Sequence, residues 1–210
     1  MPALTLYNYE LDENSYRVRL ILSMLGVEHE VYSVNMLPGR EEKSPALLAL
    51  NPCGSLPFIK QDDSVIFGAE AIVAHIARHF DPSGRWLPID GADFSMTMMW
   101  LGFAAGPLQA AVKAREVAVF AVGGHLERLK ADARAAFRIM DDHMTLCQIE
   151  GKDWFAADHP TIADLALIPS FALSRDFNID HEEFPALRLW LRRFRRLPGF
   201  ITMPGIPDYH

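Results

Sequence analysis

The apolar residues of this chain change their spacing once. As far as residue 80, short strand-like runs alternate with segments of helical spacing, whereas beyond Asp81-Pro82-Ser83-Gly84-Arg85 no convincing strand pattern follows. An alternating α/β unit followed by an all-helical one is the architecture this allows. The stretch at 81–85 has the composition of a linker. It divides the chain into residues 1–80, a linker at 81–90 and a helical part at 91–210.

Within the first part, Ala3 to Tyr9 reads as a buried strand ending in the polar stretch Glu10 to Asn14. From Ser15, Val18, Ile21, Leu22 and Leu25 fall on one helical face, and Gly26 is a stop signal. Glu30 to Asn35 is a second strand, so the opening unit is βαβ with a right-handed parallel crossover. A short helix is expected over Ala46 to Leu50. Next comes a hairpin of Leu56 to Lys60 with Ser64 to Phe67, turned by Gln61, Asp62 and Asp63. Ala69 to Phe80 returns to helical spacing. In the second part, helical segments over Ala92 to Phe120 and His125 to Ile149 are separated by Gly123 and Gly124, and two more helices begin at Thr161 and Pro185.

The 210 residues suffice for a substantial core, and half of them are apolar. A formal net charge of -7 argues against nonspecific binding to nucleic acid or to anionic membranes. No charge-free apolar run approaches a membrane span, and Met1 to Tyr9 lacks the features of a signal peptide, so a cytoplasmic location is the expectation. Cys53 and Cys147 call for no disulfide framework.

Three motifs carry more than periodicity. Asn51-Pro52-Cys53-Gly54-Ser55-Leu56-Pro57 stands directly before the hairpin. A cis Leu56-Pro57 bond would turn the Leu56 backbone N–H and C=O outward, where an extended peptide could pair with them. Pro160-Thr161-Ile162-Ala163-Asp164 has the form of a capping box, a folding element in which the Thr161 hydroxyl accepts from the Asp164 N–H and the Asp164 carboxylate reaches back to the Thr161 N–H. The third is Phe184-Pro185-Ala186-Leu187 through Leu197-Pro198-Gly199-Phe200. Together, in this order and with this domain pattern, they resemble the glutathione transferase superfamily over nearly the whole chain.

That resemblance implies a thioredoxin-like N-terminal domain that binds glutathione as co-substrate, and an all-α C-terminal domain contributing the cleft for a small hydrophobic electrophile. It also implies a cis proline at Pro57 and a homodimer, and it calls for no metal. Glutathione must react as a thiolate. Lowering a thiol pKa by about two units takes roughly 2.7 kcal/mol of anion stabilisation, and one hydrogen bond to a charged sulfur supplies about 1.5 to 3 kcal/mol. One side-chain donor at the start of the first helix therefore suffices.

The candidate window is Asp12-Glu13-Asn14-Ser15-Tyr16-Arg17. The family's usual serine falls near Asp12, which when ionised has no proton to donate. Ser15 is the preferred thiolate stabiliser, assisted by the Asn14 amide; the competing reading is that Asp12 or Asn14 caps the helix and Ser15 is a first-turn residue. Tyr7 and Tyr9 are tyrosine alternatives, and the absence of a cysteine here argues against thiol-disulfide chemistry. At the turn into the third helix, where the family places an acid followed by serine for the γ-glutamyl end, this chain has Gly68-Ala69. The helix N–H groups at Ala69 remain, and Glu70 either meets the ligand's ammonium or is a favourable first-turn acid.

With Asp12, Leu56, Pro57, Ala69 and Glu70 as the glutathione set, the second-substrate cleft is expected at Tyr9, Met99, Trp100 and Phe103, although a Met and aromatic stripe also suits a core. His75 and His79 stand at i and i+4 without a third ligand. The arginines between Arg188 and Arg196 oppose the apolar stripe of Leu187, Trp190, Leu191 and Phe194, as a solvated face or subunit contact would.

Overall fold

The computed structural model describes residues 4–206. The expected strand start at Ala3 lies outside them. Four strands, β1 (Leu4–Asn8), β2 (Glu30–Ser33), β3 (Phe58–Gln61) and β4 (Ser64–Phe67), form one sheet in the order β2-β1-β3-β4. The β1–β2 pair is parallel and the other two are antiparallel. Between β1 and β2 runs α1 (Glu13–Met24), and α3 (Ala69–Phe80) follows the hairpin. The βαβ-ββα order read from the sequence is thus observed, and with it the thioredoxin-like unit. A short α2 (Pro45–Leu50) starts with Pro45 in its first turn, where a missing N–H costs nothing, and the Ser44 hydroxyl accepts the Leu47 N–H at 3.4 Å.

The remainder is helical: α4 (Gly91–Ala105), α5 (Gln109–Phe120), α6 (Leu126–Ile149), α7 (Ile162–Ala172) and α8 (Pro185–Phe194). The single helix expected over Ala92 to Phe120 is two. Pro107 has no N–H to continue the ladder, and the chain leaves helical geometry at Gly106 before resuming at Gln109. The break after α5 is where Gly123 and Gly124 place it. A Cβ on Gly124 would stand 2.6 Å from Val117 Cγ2, so glycine lets this connection lie close against α5.

Every residue of α7 is buried, which makes it the centre of the helical unit. Its capping box is formed: Thr161 Oγ1 accepts from the Ala163 N–H at 3.2 Å, and Asp164 Oδ2 accepts from the Thr161 N–H at 3.0 Å. The Asp164 carboxylate does more than the sequence shows, because its Oδ1 also accepts from the Phe155 N–H and from Trp190 Nε1, at 3.0 and 2.9 Å. The apolar stripe of α8 is buried as expected. One continuous core joins α1 and α3 to α4, α7 and α8. After α8 the chain returns to the first unit, where Ser23 Oγ donates to Gly199 O at 2.8 Å and the Tyr16 hydroxyl to Ile201 O at 2.7 Å.

Candidate active site

Asp12 has extended backbone and caps α1, its Oδ2 accepting the Ser15 N–H at 2.6 Å. This helix start decides which side chains reach solvent. Ser15 is fully buried beneath the cap, and its Oγ lies 3.5 Å from the Tyr9 N–H. Asn14, one residue earlier, is half-buried and lines a pocket together with Asp12. Burial pushes the Asp12 carboxyl above the ordinary carboxylate range, against the lowering effect of its bonds to Ser15 and of Arg17 and Arg19 nearby.

The pocket has a volume of about 300 Å³ and is walled by three further segments. Gly54, Ser55 and Leu56 come from the turn before β3, and the Leu56–Pro57 bond is cis. Asn51 builds that turn from within: it is 1% exposed, its amide nitrogen donates to Ser55 O at 2.8 Å, and its Oδ1 accepts from the Cys53 N–H at 3.1 Å. Met36, Leu37, Arg40, Glu42 and Lys43 supply the second wall, which the sequence did not single out; its Leu37–Pro38 bond is also cis. Arg40 and Glu42 pair at 2.9 Å, and Lys43 Nζ donates to Cys53 O at 3.4 Å, so this wall carries two cations against one carboxylate. Glu116 and Val122 close the pocket from the helical unit. Burial raises the Glu116 pKa, with the Asp12 and Glu13 charges acting the same way.

The remaining candidates are dispersed. Pro57 is buried behind the turn, and Ala69 is buried at the start of α3, whose cap position Gly68 has φ 89° and offers no side-chain bond. Glu70 turns one oxygen toward Arg17, at 3.7 Å, on the interior side of α1. Tyr9 packs against Phe120 at the end of α5, with ring centroids 6.1 Å apart. Met99, Trp100 and Phe103 face elsewhere. They line a separate groove of about 470 Å³ between α4 and α6, with Ile139 and His143 opposite. Trp100 is 3% exposed and packs edge-on against Phe155 at 4.7 Å, the core role that the stripe also suited. None of these four cleft candidates lines the pocket that holds Asn14 and Leu56.

Tyr7 stacks between Phe58 and Tyr32, at 4.1 and 4.9 Å, in a small cluster apart from the main core. His75 bonds Gln61 Oε1 at 2.9 Å, and among the described residues no group of three acid, histidine or cysteine side chains is placed to hold a metal. Arg188 and Arg193 are spent on Glu182 and Asp153, each at 2.7 Å, in keeping with a solvated face. Sequence reasoning had Arg17 in the candidate window and Arg115 along the cleft-lining helix, but it did not foresee that both are buried and hold the start of α1. Arg17 is bonded within α1 and to α7, and Arg115 donates to Leu11 O. The only signal for Arg17 was its i,i+4 spacing from Glu13, which ordinarily marks a surface pair.

Comparison with known proteins agrees with this architecture. Residues 2–78 match the family model described as glutathione S-transferase, N-terminal domain, and residues 118–198 match the glutathione S-transferase, C-terminal domain. Among curated relatives, the zeta-class glutathione S-transferase of Euphorbia esula is 27% identical over 99% of this chain and 91% of its own length. Glutathione S-transferase D7 of Anopheles gambiae is 27% identical over 84% of this chain and 78% of its own. A crystal structure described as a possible glutathione S-transferase from Rhodopseudomonas palustris superimposes with a TM-score of 0.84 at 29% identity, covering 99% of this chain and 92% of the other. No helix among the described residues is long and apolar enough to cross a membrane.

Proposed function

Because the chain belongs to the glutathione S-transferase superfamily, we propose that it binds glutathione in the pocket between Asn14 and the Leu56 turn and activates the thiol for attack on a small apolar electrophile. The sulfur loses its proton to solvent or to a nearby base. The thiolate electron pair then forms the S–C bond, and the displaced pair leaves with a leaving group or moves into the acceptor's π system.

The observation that carries the reading is the placement of the first turn of α1. Asn14 lines the pocket while Ser15 is fully buried under Asp12. The thiolate donor is therefore Asn14, with Ser15 supporting the cap beneath it. One such bond supplies most of the roughly 2.7 kcal/mol that a two-unit shift requires. Arg40 and Lys43 supply cationic character for a peptide carboxylate, and Leu56 offers its backbone to the peptide. The acceptor cleft runs past Tyr9, Phe120 and Val122. A homodimer formed through the α4–α6 face and a cytoplasmic location belong to the same reading.

Gly68 and Ala69 favour a second one, a glutathione transferase-like binding or structural protein with little transferase activity. The acid and hydroxyl expected at that turn are missing, and Glu70 is turned toward Arg17. Retention on immobilised glutathione, followed by conjugation of a chlorodinitrobenzene, separates the two. Retention with turnover supports the transferase, retention without turnover the binding protein, and no binding at millimolar glutathione sinks the transferase and leaves the structural reading.

A further inference from the structure

Arg17 is fully buried, and a guanidinium has five N–H donors and no acceptor. Two of its bonds cross to the helical unit: Nε donates to Ala166 O and Nη2 to Ser170 Oγ, each at 2.8 Å. Nη2 also meets Glu13 Oε1 at 3.1 Å, and Nη1 donates to Asn14 Oδ1. Ser170 closes the ring by donating its hydroxyl to Glu13 Oε1. Glu70 Oε1 stands 3.7 Å from Nη1 and makes no hydrogen bond.

The bond to Asn14 has a consequence for the pocket. A guanidinium only donates, so the atom that Asn14 presents to Arg17 is its amide oxygen. The amide nitrogen is on the other branch of the group, and it has no hydrogen-bond partner among the described residues. We propose that Arg17 is a positioning residue for thiol activation: it grips the Asn14 oxygen so that the amide N–H groups face the pocket, and its two bonds to α7 hold it in the orientation that does so. This rests on Asn14 being the donor. A half-turn of the amide would present oxygen to the sulfur and replace attraction with repulsion.

Direct attraction between Arg17 and the sulfur is a poor alternative. The guanidinium is flanked by the Glu13 and Glu70 carboxyls, which offset its field, so its influence passes through the orientation of Asn14. Lysine at this position would keep the charge but lose the planar fork that reaches α7 and Asn14 together.

The test uses the full chain. Calorimetry measures glutathione binding, and the ultraviolet thiolate absorbance of bound glutathione is titrated with pH in wild type, Arg17→Lys, Asn14→Ala and the double variant. Arg17→Lys is expected to raise the thiol midpoint by about 0.5 to 1 pH unit, or about three- to tenfold less thiolate below it. In the Asn14→Ala background it should add nothing. An equal shift in both backgrounds, or none in either, overturns the proposal. If Arg17→Lys does not fold, Ser170→Ala, which removes one α7 anchor and keeps the guanidinium, is read in the same two backgrounds with the same outcomes. Absence of binding to the wild-type chain would sink the functional reading as well. Binding with a midpoint that these variants leave in place would sink the positioning role alone.

Discussion

Arg115 on α5 donates from Nη1 to the carbonyl oxygen of Leu11 at 2.7 Å, and so holds the residue immediately before the cap of α1. Its Nε is bonded to Asp176 Oδ2, also at 2.7 Å, and the arginine is 3% exposed. Arg115→Ala would leave that carbonyl and a largely buried carboxylate without their donor, at a cost of about 2 to 4 kcal/mol. Denaturant unfolding measures it. A loss below about 1 kcal/mol would mean that water replaces the guanidinium at both ends.

The first turn of α1 makes a discriminating pair of variants. Asn14→Ala is expected to reduce kcat/KM for conjugation by about ten- to a hundredfold, because it removes a pocket-facing donor, and to cost about 1 to 3 kcal/mol of stability as well, because the buried Arg17 loses an acceptor. Ser15→Ala should show itself chiefly as lost stability, since that side chain is packed beneath the cap. The reverse pattern would return the thiolate role to Ser15.

Gly199 offers a purely structural test. Its φ is 77°, and a Cβ there would stand 2.7 Å from Met24 Cα and 2.8 Å from Ser23 O. Both obstacles are backbone. Gly199→Ala should cost about 2 kcal/mol or more, from left-handed strain and from displacement of the segment off the end of α1. Thermal unfolding reports it, and an unchanged midpoint would contradict the close approach.

His181 gives the stability an acid dependence. Burial lowers its pKa to about 4, opposed by the bond between its Nε2 and Phe171 O at 2.8 Å. The folded state therefore holds it neutral, while the unfolded chain takes up a proton near the ordinary value of 6.5. The contribution is complete above about pH 6.5 and is lost as pH falls toward 4, with a slope of up to about 1.4 kcal/mol per unit. His181→Gln should flatten that slope in urea titrations run across the window.

The exposed residues Met99, Ile139, Leu146 and Ile149 on α4 and α6 are the basis for expecting self-association. Ile139→Glu combined with Leu146→Glu should shift the sedimentation of a dimer to that of a monomer and leave unfolding by denaturant two-state. A wild-type chain that is already monomeric at micromolar concentration would remove this part of the reading.

The architecture was legible because it rests on periodicity and punctuation: β1 through α3 and the capping box at Thr161 lie in local sequence, whereas the cis bond before β3 followed only from the family resemblance. Pro107 was equally visible, yet the apolar spacing on either side of it suggested one helix. The site was less legible for a different reason. Helical spacing assigns Met99, Trp100 and Phe103 to a common face but cannot say which neighbour that face meets, and here it is α6. Asp12, Asn14 and Ser15 were recognised as a set, but only the direction of the cap decides which of them is submerged. Arg17 and Glu13 look like an ordinary exposed pair until α7 covers them.

The carbonyl of Ala166 and the hydroxyl of Ser170 belong to a helix with no residue in the pocket. Transplanting residues 1–80 onto a foreign helical scaffold would carry over the α1 cap and the Leu56 turn, but would strand a guanidinium that had lost two of its acceptors. Any chimera that is to keep the site must import a stretch of α7 with it, so the unit of modular exchange in this protein is larger than its first half.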